Sequence, residues 1–191
     1  MNKPTKVIYT SSYDRGLEHL LKIWPGVKKA VPEAELDVYY GWTLFKRFYG
    51  DNPERMAWMN KMNKMMEADG INHMGRVSQD EIHKVMATAG VWAYPTHFGE
   101  ISCITAMKAQ MLGCVPVVIE YAALETTVQH GVKVQGDIYD KEVREKFRDE
   151  LIALLKDPKR QEEIRGPMMK WANKEYTWTN VAVQWDEDFK K

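Results

Sequence analysis

Two short segments of this sequence carry side chains able to hold a charged, hydroxyl-rich ligand. The first is Ser11-Ser12-Tyr13-Asp14-Arg15-Gly16. Small hydroxyls, a glycine and an arginine ahead of a helix can bind a phosphate through backbone N–H groups, the helix dipole and the guanidinium fork. The same residues also suit a plain helix start, with Ser12 or Asp14 as cap and Arg15 in solvent, and the segment alone leaves both open. The second is Pro95-Thr96-His97-Phe98-Gly99-Glu100-Ile101-Ser102. Glu100 at a helix N-terminus can accept hydrogen bonds from sugar hydroxyls or simply complement the dipole. His97 taken alone fits a structural role better than a catalytic one. Gly75-Arg76 adds a second possible phosphate or base contact.

Other chemistries find little support. There is no Ser/His/Asp order, no HExxH and no paired-cysteine motif, and His19, His73, His83, His97 and His130 lack metal-ligand spacing. Without a Gly-rich dinucleotide fingerprint or a Walker A loop, a nicotinamide oxidoreductase and a P-loop NTPase are poorly supported. The charge run over residues 141–150 reads as a solvated helix face.

The elements that must position these residues alternate along the chain. Residues 6–11 (KVIYTS), 35–40 (ELDVYY), 71–74, 91–94, 115–119 and 132–134 read as strands, several of them continuously apolar. Helices are predicted over 15–31, after Asp51 or Asn52, and over 78–89, 101–112, 122–129, 141–156, 158–173 and from about 179. Pro25 predicts a kink or a late restart in the first of these. Ser78 with Glu81 has capping-box spacing. Met56, Met59, Met62, Met65 and Met66 share one broad helical face and read as core. Strands buried on both faces and separated by helices imply an α/β, Rossmann-like doubly wound parallel sheet, here as a single domain over 1–191. Ligands of such sheets bind beyond the carboxyl ends of the strands. That singles out 11–16, 41–43, 75–78, 95–102 and 120–127.

Composition narrows the class further. The chain has 191 residues, 45% hydrophobic and 28% charged, and its 27 basic and 27 acidic side chains cancel. A nucleic-acid or membrane-surface binder would carry a basic excess. Cys103 and Cys114 suit buried thiols in a reducing compartment. No apolar run approaches 18 residues and the first six residues are polar, so neither a transmembrane segment nor a signal peptide is expected. The expected location is cytoplasmic.

Read in order, the blocks resemble the C-terminal, donor-binding domain of GT-B-fold glycosyltransferases of glycosyltransferase family 4, the group 1 glycosyl transferases. The likeness runs from VIYTSSYDRGLEHLLKIWPGVKKAVPEAELDVYYGW through GRVSQDEIHKVMATAGVWAYPTHFGEISCITAMKAQMLGCVPVV to YTWTNVAVQW. It implies retaining transfer of a sugar from a nucleotide-diphosphate donor to a glycan or lipid acceptor, with no cofactor and no metal. The acceptor side is expected on an N-terminal domain or partner chain missing here, because residues 1–5 lie just before the donor domain's first strand. The isolated chain is then expected to bind donor and transfer little. A non-catalytic binding or assembly module is the alternative.

The resemblance also assigns residues. Arg15 falls at the position of a diphosphate-gripping lysine, while Ser11-Ser12 replaces the usual Gly-Arg pair. Ser12 and Gly16 backbone groups would assist Arg15. Glu100 opens a Glu-x7-Glu motif and would orient the donor sugar as the catalytic residue, with His97 and the Gly99 and Ile101 backbone nearby. The second glutamate, which normally holds the ribose, is Lys108 here. It is expected either to restore the missing charge near the diphosphate or to mark a weakened site. Thr126 replaces a further glutamate. Arg76, Val77 and the Gly41-Trp42 turn would line the base pocket.

Overall fold

The computed structural model describes residues 3–190. The chain runs β1 (Lys3–Tyr9), a 3-10 turn (Tyr13–Arg15), α1 (Leu17–Ala30), β2 (Glu35–Tyr39), α2 (Thr43–Tyr49), α3 (Pro53–Met65), β3 (Ile71–Gly75), α4 (Gln79–Thr88) and β4 (Ala89–Tyr94). It continues with α5 (Ile104–Leu112), β5 (Val115–Ile119), the one-turn α6 (Leu124–Thr127), β6 (Val132–Val134), α7 (Lys141–Leu155), α8 (Pro158–Glu175) and α9 (Trp178–Phe189).

The strands pair in parallel in the order β3-β2-β1-β4-β5-β6. Strand building therefore proceeds outward from β1, returns across the sheet through α4, and proceeds outward the other way from β4. This is a Rossmann-like, doubly wound α/β sheet, and its switch point lies between β1 and β4. β4 and β5 are buried along their whole length, as strands covered on both faces must be. α1 packs beside α7, and α5 beside α8, to cover them.

Local chemistry sets several helix starts. Asn52 accepts from the Arg55 amide with Pro53 in the first turn of α3, and Ser78 accepts from the Glu81 amide to open α4. Met59, Met62 and Met66 are buried as core, with Met56 and Met65 half-buried. α3 is also tied to α1 through Glu18, whose carboxylate accepts from Trp58 Nε1 at 2.9 Å and from Lys61 Nζ at 2.8 Å. Burial pushes that carboxyl up, but the hydrogen bonds from Lys61, Trp58 and Lys22 outweigh it and hold it at about 2.

Three expectations are corrected. The helix predicted over 15–31 begins only at Leu17, because Gly16 has φ +121°, which no helical residue adopts. Pro25 does not restart α1: the helix runs unbroken through it with Pro25 exposed, while Leu20, Leu21, Trp24 and Val27 hold the helix against the core. The helix predicted from Ile101 begins at Ile104; Ile101 is 99% exposed, and helical burial starts with Ala106.

Gly16 fixes how the β1 loop crosses the end of β4. A Cβ there would lie 2.4 Å from the Pro95 carbonyl oxygen and 2.9 Å from Thr96 Cα, both backbone atoms that cannot swing aside. Gly16→Ala should therefore destabilise the chain by roughly 2 kcal/mol or more, adding left-handed strain to overlap. Urea unfolding measures this, and a variant within about 0.5 kcal/mol of wild type would contradict the tight crossing.

Candidate functional site

The loops leaving β1 and β4 meet at the switch point and bring Arg15 and Glu100 together. Tyr94 Oη, at the end of β4, donates to Glu100 Oε1 at 2.7 Å and accepts from Ser11 Oγ at 3.3 Å. Arg15 Nη1 lies 3.4 Å from the same Oε1, and its Cζ sits 4.0 Å from the Phe98 ring centroid. Magnitudes rank these contacts. A partly exposed ion pair contributes about 0–1 kcal/mol, whereas a short hydrogen bond to a carboxylate contributes about 1.5–3. Glu100 is thus anchored mainly by Tyr94, and Arg15 can leave it for an incoming anion at small cost. Glu100 is not at a helix N-terminus as expected, since three residues separate it from Ile104 and its carboxylate turns back toward Tyr94.

The loop from β1 is held from beneath. Tyr9 Oη donates to the Ser12 carbonyl at 2.7 Å, and the Arg15 amide donates to the same carbonyl at 3.0 Å. The Ser12 side chain caps nothing. Burial pushes the Tyr9 and Tyr94 phenols well above their ordinary range, so both stay protonated.

Next to this pair, a cavity of about 630 Å³ opens between α4 and α5. Arg76, Val77 and Lys108 line it together with Thr10, Tyr39, Tyr40 and Thr105. Lys108 Nζ donates to Gln79 Oε1 at 2.9 Å, so it stands with Arg76 and Gln79 on the cavity wall. The Gly41-Trp42 turn takes a supporting place. The Gly41 amide donates to Tyr13 Oη at 2.9 Å, and the Trp42 indole donates to Asn63 Oδ1 at 2.7 Å while packing edge-on against Tyr13. Tyr39 and Tyr40, the latter at φ +124°, are the aromatic residues that reach the cavity in its place.

His97 faces a different group. Its ring lies 5.5 Å from His19 and 5.1 Å from Tyr139, in a smaller pocket that also takes in Asp14 and Trp58. Burial, followed by the neighbouring His97, Lys22 and Arg144, holds His19 down at about 4, so it is neutral at pH 7. Gly99 and Ile101 are exposed on the loop beside Glu100. Thr126 is exposed, and its hydroxyl donates to the Ala123 carbonyl within its own turn. Both cysteines are buried and free. Among the described residues, no three His, Cys, Asp or Glu side chains form a group that could hold a metal ion, and no helix is long and apolar enough to cross a membrane.

The residues that sequence reasoning passed over are Tyr94, Phe98, Thr10, Tyr39 and Tyr40. Tyr94 had a usable signal, being a phenol at the carboxyl end of an apolar strand.

A family model described as glycosyl transferases group 1 matches residues 2–166. The chain belongs to that family. This group 1 glycosyltransferase chain is similar in fold to the pneumococcal O-GlcNAc transferase GtfA solved with UDP and GlcNAc, at 16% identity and a TM-score of 0.71, over 99% of this chain and 36% of that one. It is also similar to Anabaena HepE in complex with UDP-glucose, at 13% identity and a TM-score of 0.76, over 98% of this chain and 49% of that one. Sucrose-phosphate synthase from Thermosynechococcus elongatus gives 17% identity and a TM-score of 0.76, over 97% and 44%. The chain thus spans between about a third and a half of the length of these structures. A comparison with curated proteins finds no match.

The ranking of contacts around Glu100 is open to direct test. Tyr94→Phe should lower stability by about 1.5–3 kcal/mol, whereas Arg15→Ala should change it by no more than about 1 kcal/mol. Urea melts of both variants decide the order, and a larger loss for Arg15→Ala would reverse it.

Proposed function

We propose that this chain is the donor domain of a group 1 glycosyltransferase and binds a nucleotide-diphosphate sugar at the switch point of its sheet. One observation carries the reading: Arg15 and Glu100 meet beside a cavity lined by Arg76 and Lys108, in the crevice where doubly wound sheets take their ligands. In this reading Arg15 swings from Glu100 to the diphosphate, assisted by Ser12 and Gly16 backbone groups. Glu100, held in place by Tyr94, accepts hydroxyl hydrogens of the sugar near the Gly99 and Ile101 backbone. The nucleoside enters the cavity beside Arg76 and Val77.

The chemistry would be positioning, together with stabilisation of the negative charge that grows on the departing diphosphate. We take the transfer to be retaining and metal-independent, toward a glycan or lipid acceptor carried by an N-terminal domain or a partner chain, in the cytoplasm. The ligands of the similar structures, UDP with GlcNAc in GtfA and UDP-glucose in HepE, make uridine nucleotides the first to try. His97 belongs to the edge of the site in this reading, because its ring packs against His19 and Tyr139.

A thermal-shift panel of UDP, GDP, ADP and their common sugar conjugates tests the reading. A ligand at about 100 times its Kd adds roughly 2.7 kcal/mol, and each kcal/mol moves the midpoint of a domain this size by about 2–4 °C. One nucleotide should raise the midpoint by roughly 5–10 °C, and its sugar conjugate by more. Glu100→Gln should keep the nucleotide shift and lose the extra contributed by the sugar. A flat panel would overturn donor binding by this chain and leave the non-catalytic binding module.

A further inference from the structure

A second pocket, of about 210 Å³, shares no lining residue with the cavity between α4 and α5. It is bounded by the β1 loop, α1, α3 and the loops that follow β4 and β6. Three polar atoms of its lining residues are unpaired. Asp14 Oδ1, His19 Nδ1 and His97 Nδ1 are buried and have no hydrogen-bond partner among the described residues. His19 is only 3% exposed. A folded chain seldom leaves buried polar atoms unpaired, because each one costs stability. Three around one pocket point to a ligand that brings the missing partners.

The charges say what kind of ligand. Glu18 already accepts from Trp58 and Lys61, and Lys22 Nζ lies 2.9 Å from it, so that carboxylate and both lysines are engaged. What is left is one carboxylate, Asp14, against one guanidinium, Arg55, whose Cζ lies 5.1 Å from the Tyr49 ring centroid. His19 adds no charge at pH 7. A balanced pocket gives neither a phosphate nor an ammonium a counter-charge of its own. It offers an acceptor in Asp14, a donor fork in Arg55 and imidazole nitrogens able to do either. Trp58 and Tyr139 add flat apolar rings. The matching molecule is compact and uncharged, with several hydroxyls that each donate and accept beside C–H faces. A sugar ring has that chemistry.

We propose that this pocket binds a neutral sugar residue, at a site separate from the nucleotide cavity. Asp14 accepts from the sugar hydroxyls, Arg55 and the two imidazoles complete the hydrogen bonds, and the Trp58 and Tyr139 rings pack on the ring carbons. The proposal does not depend on the nucleotide reading.

Titration of the intact chain with glucose, galactose, mannose and N-acetylglucosamine, followed through the imidazole NMR signals of His19 and His97, tests this. At least one of the four should move both rings saturably, and inorganic phosphate should not. Asp14→Asn should weaken that sugar by about fivefold or more. Its melting midpoint should be unchanged or raised, because Asp14 Oδ1 has no bond within the chain to lose. Both rings unmoved by all four sugars, a stronger response to phosphate, or equal sugar affinity in Asp14→Asn would each overturn the proposal. So would a sugar that shifts signals around Glu100 and leaves the His19 ring unmoved, since it would sit at the proposed donor site instead. A chain that answers to a sugar at His19 and His97 but to no nucleotide would keep this pocket and lose the nucleotide reading.

Discussion

Two loops leave neighbouring parallel strands at the same edge of the sheet and turn away from each other, and both must pass through one small volume. Gly16 is what lets them. With φ +121° and no Cβ, it brings the β1 loop against the Pro95 carbonyl, closer than a side-chain-bearing residue could come. The rest of the site follows from that crossing. It places Arg15 within 3.4 Å of Glu100 and over the Phe98 ring, and it leaves Ser11 in reach of Tyr94. The cavity lined by Thr10 lies directly beyond, between α4 and α5.

The polar contacts at the crossing are graded in strength, and the grading has a functional sense. Tyr94 fixes Glu100 through a short hydrogen bond inside a fully buried strand end. Arg15 is partly exposed and held by contacts that each contribute about 1 kcal/mol or less. In the proposed donor site, the firmly held carboxylate would orient a neutral sugar while the weakly held guanidinium turns to receive an anion. Beyond the pair, Arg76 and Lys108 keep the cavity positive, so the crevice passes from a mixed-charge end at Glu100 to a cationic end at Lys108. That asymmetry gives an elongated ligand a direction in which to lie.

Much of the architecture is legible in the sequence because a parallel sheet covered on both faces demands uninterrupted apolar runs. VIY in β1, VWAY in β4 and VPVVI in β5 are such runs, and Asn52, Pro53 and Ser78 mark helix starts through local chemistry alone. The strand-end loops could be found for the same reason. What could not be read was where backbone departs from its local pattern for a long-range cause. Nothing in DRGLEHLL announces that Gly16 is left-handed, since the reason lies at Pro95, 79 residues on. Ile101 looks like the first turn of an apolar helix, yet Glu100 is drawn back by Tyr94 and the helix waits for Ile104. In the turn after β2, Trp42 looked like the base-pocket aromatic. The Tyr40 amide instead bonds the Gly75 carbonyl across β3, and Trp42 is spent on Asn63.

The most direct test of this account is a crystal structure of the chain with UDP-glucose. The account predicts the nucleoside between α4 and α5 beside Arg76 and Lys108, the diphosphate bound by an Arg15 released from Glu100, and the glucose hydroxyls on the Glu100 carboxylate. A ligand seated elsewhere on the molecule, or one seated there with the Arg15–Glu100 pair still closed, would contradict it.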